Sequence, residues 1–149
     1  MHSHEELNSA RILTRLEEAI LSQSASDVES ALTLLYQTKA MNGAASVLIK
    51  LLALPWHRKH EDIARLLQQL RDPTAVEALY LAALEKHGYL AYDNSYALAR
   101  KCTWALGDIG TPEAFAKLKL LATHRDPVIA QYAQERIDGW EQGSHRKPR

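Results

Sequence analysis

One stretch of this chain is written twice. "IARLLQQLRDPTAVEALYL", residues 63–81, recurs 39 positions later as "CTWALGDIGTPEAFAKLKL", residues 102–120. In that register Asp72-Pro73 lies on Thr111-Pro112, Ile63 on Cys102, Leu67 on Leu106 and Leu70 on Ile109. Beyond the proline, Ala75 falls on Ala114, Val76 on Phe115, Leu79 on Leu118 and Leu81 on Leu120. Apolar residues recur three and four apart within each copy, which places them on one side of a helix. The Asp-Pro or Thr-Pro between them supplies a capping oxygen and a φ suited to the first helical position, so each copy reads as a helix, a turn and a second helix. Such a unit covers its apolar stripe only by stacking on neighbours.

The same periodicity runs through almost the whole sequence and alternating strand patterns are missing, so the expected fold class is all-α. Helices are expected near 4–22, 27–39, 43–54, 59–70, 73–86, 95–107, 112–123 and 126–138. Ser3 with Glu6 and Ser26 with Glu29 fit the capping box, while Asp126-Pro127 gives a third proline start. The 149 residues allow one domain, taken as 1–140, followed by a loose basic tail at 141–149.

"WALGDIGTPEAF", residues 104–115, could be a glycine-rich phosphate loop, because free N–H groups at a helix start attract anions. The earlier copy argues against this: its turn, "QQLRDP", contains no glycine. Gly107 and Gly110 are therefore expected to let the chain leave one helix and enter the next at a tight angle.

At this point the segment "RKCTWALGDIGTPEAFAKLKLLATHRDPVIAQYA" resembles HEAT repeats of the bilin-lyase-like type, whose pattern runs A-L-G-x-I-G, x-P-E-A, then Asp-Pro-x-Val. Residues 59–138 carry the resemblance, and 4–54 share only its helical rhythm. Gln68 stands where the pattern has Gly107. The resemblance implies a short right-handed α-solenoid of about four helix pairs, with atypical end units.

Charge balance limits the partners. Eighteen Lys and Arg against eighteen Asp and Glu leave no surplus to displace counterions from nucleic acid, and the cations of 58–136 are interleaved with carboxylates. A nucleic-acid interface, as in the HEAT-like DNA glycosylases, is the alternative rather than the first reading. Cys102 is alone and lies in an apolar helical run, so no intrachain disulfide is expected and the thiol reads as a small buried hydrophobe. The polar N-terminus carries no secretion signal, and "ASVLIKLLALPW" is interrupted by Lys50 and too short to span a bilayer, which together suggest a cytoplasmic protein.

Catalytic chemistry finds little support. His4-Glu5 and His60-Glu61 look like the His-Glu pairs with which HEAT-fold lysine hydroxylases hold iron. The two pairs lie 56 residues apart and later helices carry Arg100-Lys101 and Gln131-Tyr132, so solvated helix starts are expected and no metal or other cofactor. His57 and His60 in "HRKH" could bind a metal adventitiously. Neither Cys102 nor any serine sits in a recognisable nucleophile turn.

The non-repeated stretch "EKHGYLAYDNSY", residues 85–96, is an insertion compared with the short "LATHRDP" junction that follows. Its residues His87, Tyr89, Tyr92 and Asp93 have the make-up of a protein-binding hot spot. The competing reading packs Tyr96 inward and lays Tyr89 over the helices. Glu77, Tyr80, Lys117 and Lys119 fall on second helices of their units, which line the groove in solenoids. These eight residues form the candidate partner-binding set. The expected function is a non-enzymatic protein-binding module, first among the possibilities an immunity protein that blocks a cognate toxin. An adaptor or chaperone of the bilin-lyase-like group is a further alternative.

Overall fold

In a computed structural model, residues 4–38, 41 and 43–141 are described, without the side chains of residues 4–7. The described residues form eight α-helices: α1 (His4–Ser22), α2 (Ala25–Thr38), α3 (Ala44–Leu52), α4 (His60–Leu70), α5 (Val76–Leu84), α6 (Tyr96–Ile109), α7 (Pro112–Ala122) and α8 (Pro127–Glu141). Two 3-10 turns, Pro73–Ala75 and Gly88–Asp93, complete them, and there is no strand among the described residues. The all-α expectation holds.

The repeat is written into the core. Ile63 and Cys102, Leu67 and Leu106, Ala75 and Ala114, and Leu79 and Leu118 are all completely buried, whereas Leu81 and Leu120 are both about half exposed. α4 and α6, the first helices of the two copies, lie against each other, and α8 packs on the far side of α6. α3, α5 and α7 form a second row behind them. α6 is thus enclosed by α4, α5, α7 and α8, which is why Leu98 through Ile109 include buried residues on most sides of that helix.

The turns match even where the sequences differ. α4 ends on Arg71 in the left-handed conformation (φ 53°), its N–H donating to the Leu67 carbonyl at 3.1 Å. Gly110 occupies the equivalent place in the second copy (φ 70°), donating to Leu106 at 3.2 Å. Glycine accepts this geometry without a Cβ penalty and arginine does not. Gly107, expected in the turn, instead lies buried inside α6: the helix continues until a residue turns left-handed, and Gly110 does so. Gln68, at the place of Gly107, reaches from α4 to α6, its Nε2 donating to Asp108 Oδ2 at 2.9 Å.

Helix starts follow the capping chemistry with two adjustments. Thr111 Oγ1 accepts the Ala114 N–H at 3.2 Å and Asp126 Oδ1 the Val128 N–H at 3.0 Å. Asp72 Oδ1 accepts both the N–H (2.9 Å) and the hydroxyl (2.7 Å) of Thr74. This tightens 73–75 into a 3-10 turn, so the expected 73–86 helix is regular only over Val76–Leu84. α2 begins at Ala25 rather than after Ser26. Gln23 (φ 52°) ends α1 in the left-handed region and presents Ser24 as the cap, whose Oγ accepts the Asp27 N–H at 3.2 Å. The Ser3 box and the tail from 142 lie outside the described residues; α8 itself runs three residues past its expected end.

Cys102 is fully buried, and burial pushes its thiol well above the usual range, as expected of a packing residue. No helix among the described residues is long and apolar enough to cross a membrane.

Candidate functional site

The candidate residues separate into two groups. On the outer row, adjacent α5 and α7 bring Glu77, Tyr80 and Lys117 together. The Lys117 ammonium lies 2.8 Å from Glu77 Oε2 and 4.5 Å from the centre of the Tyr80 ring. Lys119 extends over Phe115, 4.7 Å from its ring centre, and Phe115 stacks at 4.6 Å on Trp140 of α8. Leu81 and Leu120 stand exposed on the same two helices. An ion pair this open to water contributes about 0–1 kcal/mol, so its weight lies in ordering a mixed apolar and charged surface rather than in stability.

The second group, His87, Tyr89, Tyr92 and Asp93, belongs to the α5–α6 loop, and most of it is engaged inside the chain. Asp93 Oδ2 accepts the Ala97 N–H at 3.1 Å and so caps α6. The His87 N–H donates to Ser95 Oγ at 3.1 Å, and Lys86 Nζ donates to the Asn94 carbonyl at 2.7 Å. Asn94 (φ 56°) and Ser95 (φ 60°) are consecutive left-handed residues without glycine, a backbone that persists only where neighbours hold it. Tyr92 is the exception, 77% exposed. Tyr96 lays its ring, half-buried, against the core, and its hydroxyl donates to Asp126 Oδ2 at 2.8 Å.

Beneath the loop lies an arrangement that the sequence did not announce. The rings of His57, His60 and His87 form a column, stacked at 4.1 Å and 3.9 Å between centres. Trp56 meets His57 edge-on, and Tyr89 leans against both His60 and His87. His60 was expected at a solvated helix start; it is completely buried, because α4 turns its first residue under the loop. Glu61 beside it pairs with Lys101 of α6 at 2.7 Å.

Hydrogen bonding fixes the state of these rings. His60 Nε2 lies 2.7 Å from the Leu54 carbonyl, which can only accept, so this nitrogen carries the proton. Its Nδ1 is then a bare acceptor and takes the Tyr89 hydroxyl proton at 2.7 Å, while the Tyr89 oxygen accepts the His60 backbone N–H at 3.1 Å. His57 follows the same logic: Nε2 donates to Leu51 O at 2.6 Å and Nδ1 accepts the Lys59 N–H at 3.0 Å. Both imidazoles are neutral. Burial, and then the charge that His57 would carry, hold the His60 pKa down at about 4; burial likewise lowers that of His57.

The column does not have the geometry of a metal centre. Stacked rings aim their lone pairs along parallel planes rather than at a common point, and the free nitrogen of His57 and of His60 is already an acceptor. Among the described residues no three His, Cys, Asp or Glu side chains could share an ion. The side chains of His4 and Glu5 lie outside the described residues. A signal for the column was present in the spacing of His57 and His60, but nothing in the sequence linked them to His87, 27 residues on from His60.

No protein-family model, curated protein or solved structure matches the chain.

Proposed function

We propose that the chain is a non-enzymatic protein-binding module, a short right-handed solenoid of HEAT-like helix pairs, and that it acts as an immunity protein by covering the working surface of a cognate toxin. One observation carries the reading: neighbouring units expose leucines at equivalent positions, Leu81 and Leu120, beside the cross-helix Glu77, Tyr80 and Lys117 cluster. Large apolar side chains ringed by aromatic and charged groups are the make-up of a protein interface. Tyr92 adds a rigid exposed ring from the loop. The mixed signs of this surface suit a protein partner better than a polyanion.

The test is co-expression with the product of a neighbouring toxin gene. The parent chain should restore growth, and a Leu81→Asp, Leu120→Asp double variant that keeps its helical spectrum should not. Retention of random-sequence duplex DNA at physiological salt, with growth unaffected by either chain, overturns the reading in favour of nucleic acid.

A further inference from the structure

The most unusual chemistry in the molecule belongs to the histidine column, and it lies apart from the α5 and α7 surface. The geometry points to an acid-operated latch: the column of His57, His60 and His87, with Tyr89, holds the α5–α6 loop against α4 only while the His57 and His60 imidazoles are neutral, and their protonation releases residues 85–95 as a unit.

Donor and acceptor roles make the case. A proton added to His57 goes to Nδ1, where it would face the Lys59 N–H, and a backbone N–H cannot accept. A proton added to His60 also goes to Nδ1, against a Tyr89 oxygen that already accepts the His60 N–H. Its hydroxyl hydrogen must swing away and the bond tying loop to helix is recast. A charge on any ring also lies within about 4 Å of its stacked neighbours, so a second cation is opposed.

The surrounding charges do not offset this. From the α3–α4 connection Lys59 faces the column with its backbone N–H, while its ammonium is turned to Glu29 and Asp62. From α4, Glu61 is matched by Lys101 of α6. From the loop, Glu85 Oε2 stands 3.7 Å from His87 Nε2, a buried nitrogen with no hydrogen-bond partner. Glu85 is about half exposed and faces His87, not the nitrogens of His57 and His60 that would take the added protons. Once the column parts, the consecutive left-handed residues Asn94 and Ser95 lose what holds them and the loop relaxes.

Amide hydrogen exchange on the whole chain tests this, compared between about pH 7.5 and about pH 4.5 after correction for intrinsic exchange. Amides of 85–95 should lose protection by roughly tenfold or more at the lower pH, while those of α7 and α8 keep theirs. Tyr89→Phe, which keeps the ring and removes the hydroxyl, should open the same segment already at neutral pH. His60→Gln, which removes a titrating ring, should lessen the acid response. Loop protection that is unchanged at the lower pH, or that falls together with α7 and α8, overturns the latch. So does a Tyr89→Phe loop as protected as the parent's.

Discussion

Two junctions that do the same job in successive copies of the repeat make an instructive pair. The chain passes from α5 to α6 through 85–95 and from α7 to α8 through 123–126. Each contains one histidine, His87 and His124, and each is tied down by a tyrosine, the long one by its own Tyr89 and the short one by Tyr96 of α6. In the short junction His124 Nδ1 accepts the Asp126 N–H at 2.9 Å, as His57 Nδ1 accepts that of Lys59, and Tyr96 bonds the Asp126 carboxylate. The short junction leaves its charged cap near water, where a carboxylate is at ease. The long one adds His87 to a buried column with His57 and His60, and the latter two are held neutral beneath it. The lesson is that residue type does not set the chemistry of a turn; the depth at which the turn lies does.

The largest effect should come from beneath both junctions, where the copies are equal. Leu67→Ala and Leu106→Ala each remove a completely buried side chain and should each cost about 2–5 kcal/mol through the cavity left behind. Urea unfolding of both variants checks this. Tolerance at one position and collapse at the other would show that the two units are not equivalent cores.

Next comes the hydroxyl on which the long junction turns. Tyr89→Phe leaves a buried Nδ1 without its donor and a helix-start N–H without its acceptor, a loss of about 1–3 kcal/mol. Tyr96→Phe, which frees Asp126 of the short junction, should cost less than this because water can replace the bond to Asp126. Equal losses in the two variants would show that depth does not separate the junctions.

Acid should separate the junctions along the pH axis. His60 has its pKa lowered from the unfolded value near 6.5 to about 4, and His57 is lowered in the same direction. A depressed histidine binds fewer protons folded than unfolded, so its stabilisation is complete above about pH 6.5 and is lost as the pH falls toward 4. The loss should be on the order of 2 kcal/mol. Asp126 is displaced downward by the Tyr96 hydroxyl, so its contribution is present above the ordinary carboxylate value of 3.8 and fades only below it. Unfolding free energy measured at intervals between pH 7 and pH 4 should therefore slope in the parent and flatten in His60→Gln. A slope that survives that substitution assigns the effect elsewhere.

The smallest change in stability should follow Tyr92→Ala, with no measurable shift of the urea midpoint, because that ring is exposed. Its effect on a partner should be the opposite, a loss of about 2 kcal/mol or more if the ring is an interface anchor. Calorimetric titration of the complex distinguishes the two. Reversing Lys117 and Lys119 together should slow association and alter its salt dependence, readable in the association rate at two ionic strengths.

Much of the fold was legible because helix stacking is governed by local rules. Cys102, Leu106 and Leu118 announce their burial by spacing, and Thr111 and Asp126 announce helix starts through the prolines that follow them. Where boundaries moved, a single backbone angle was responsible: Gln23 turned left-handed and passed the cap from Ser26 to Ser24. The candidate set was legible in part. Glu77, Tyr80 and Lys117 do meet, since residues on adjacent repeated helices share a face. Tyr89 and His87 read as free recognition groups because a loop's composition says nothing about what lies beneath it.

The sequence by itself determined the all-helical character, the 39-residue unit and the buried positions common to its copies, because periodicity and capping act over a few residues. Only the tertiary structure decided that Arg71 would close a helix as Gly110 does, that Gln68 would reach Asp108, and that His57, His60 and His87 would share one column. The physical reason is range. A histidine's proton depends on which carbonyl, hydroxyl or ring lies within about 3–4 Å, and those neighbours come from chain segments that meet only after the helices have packed.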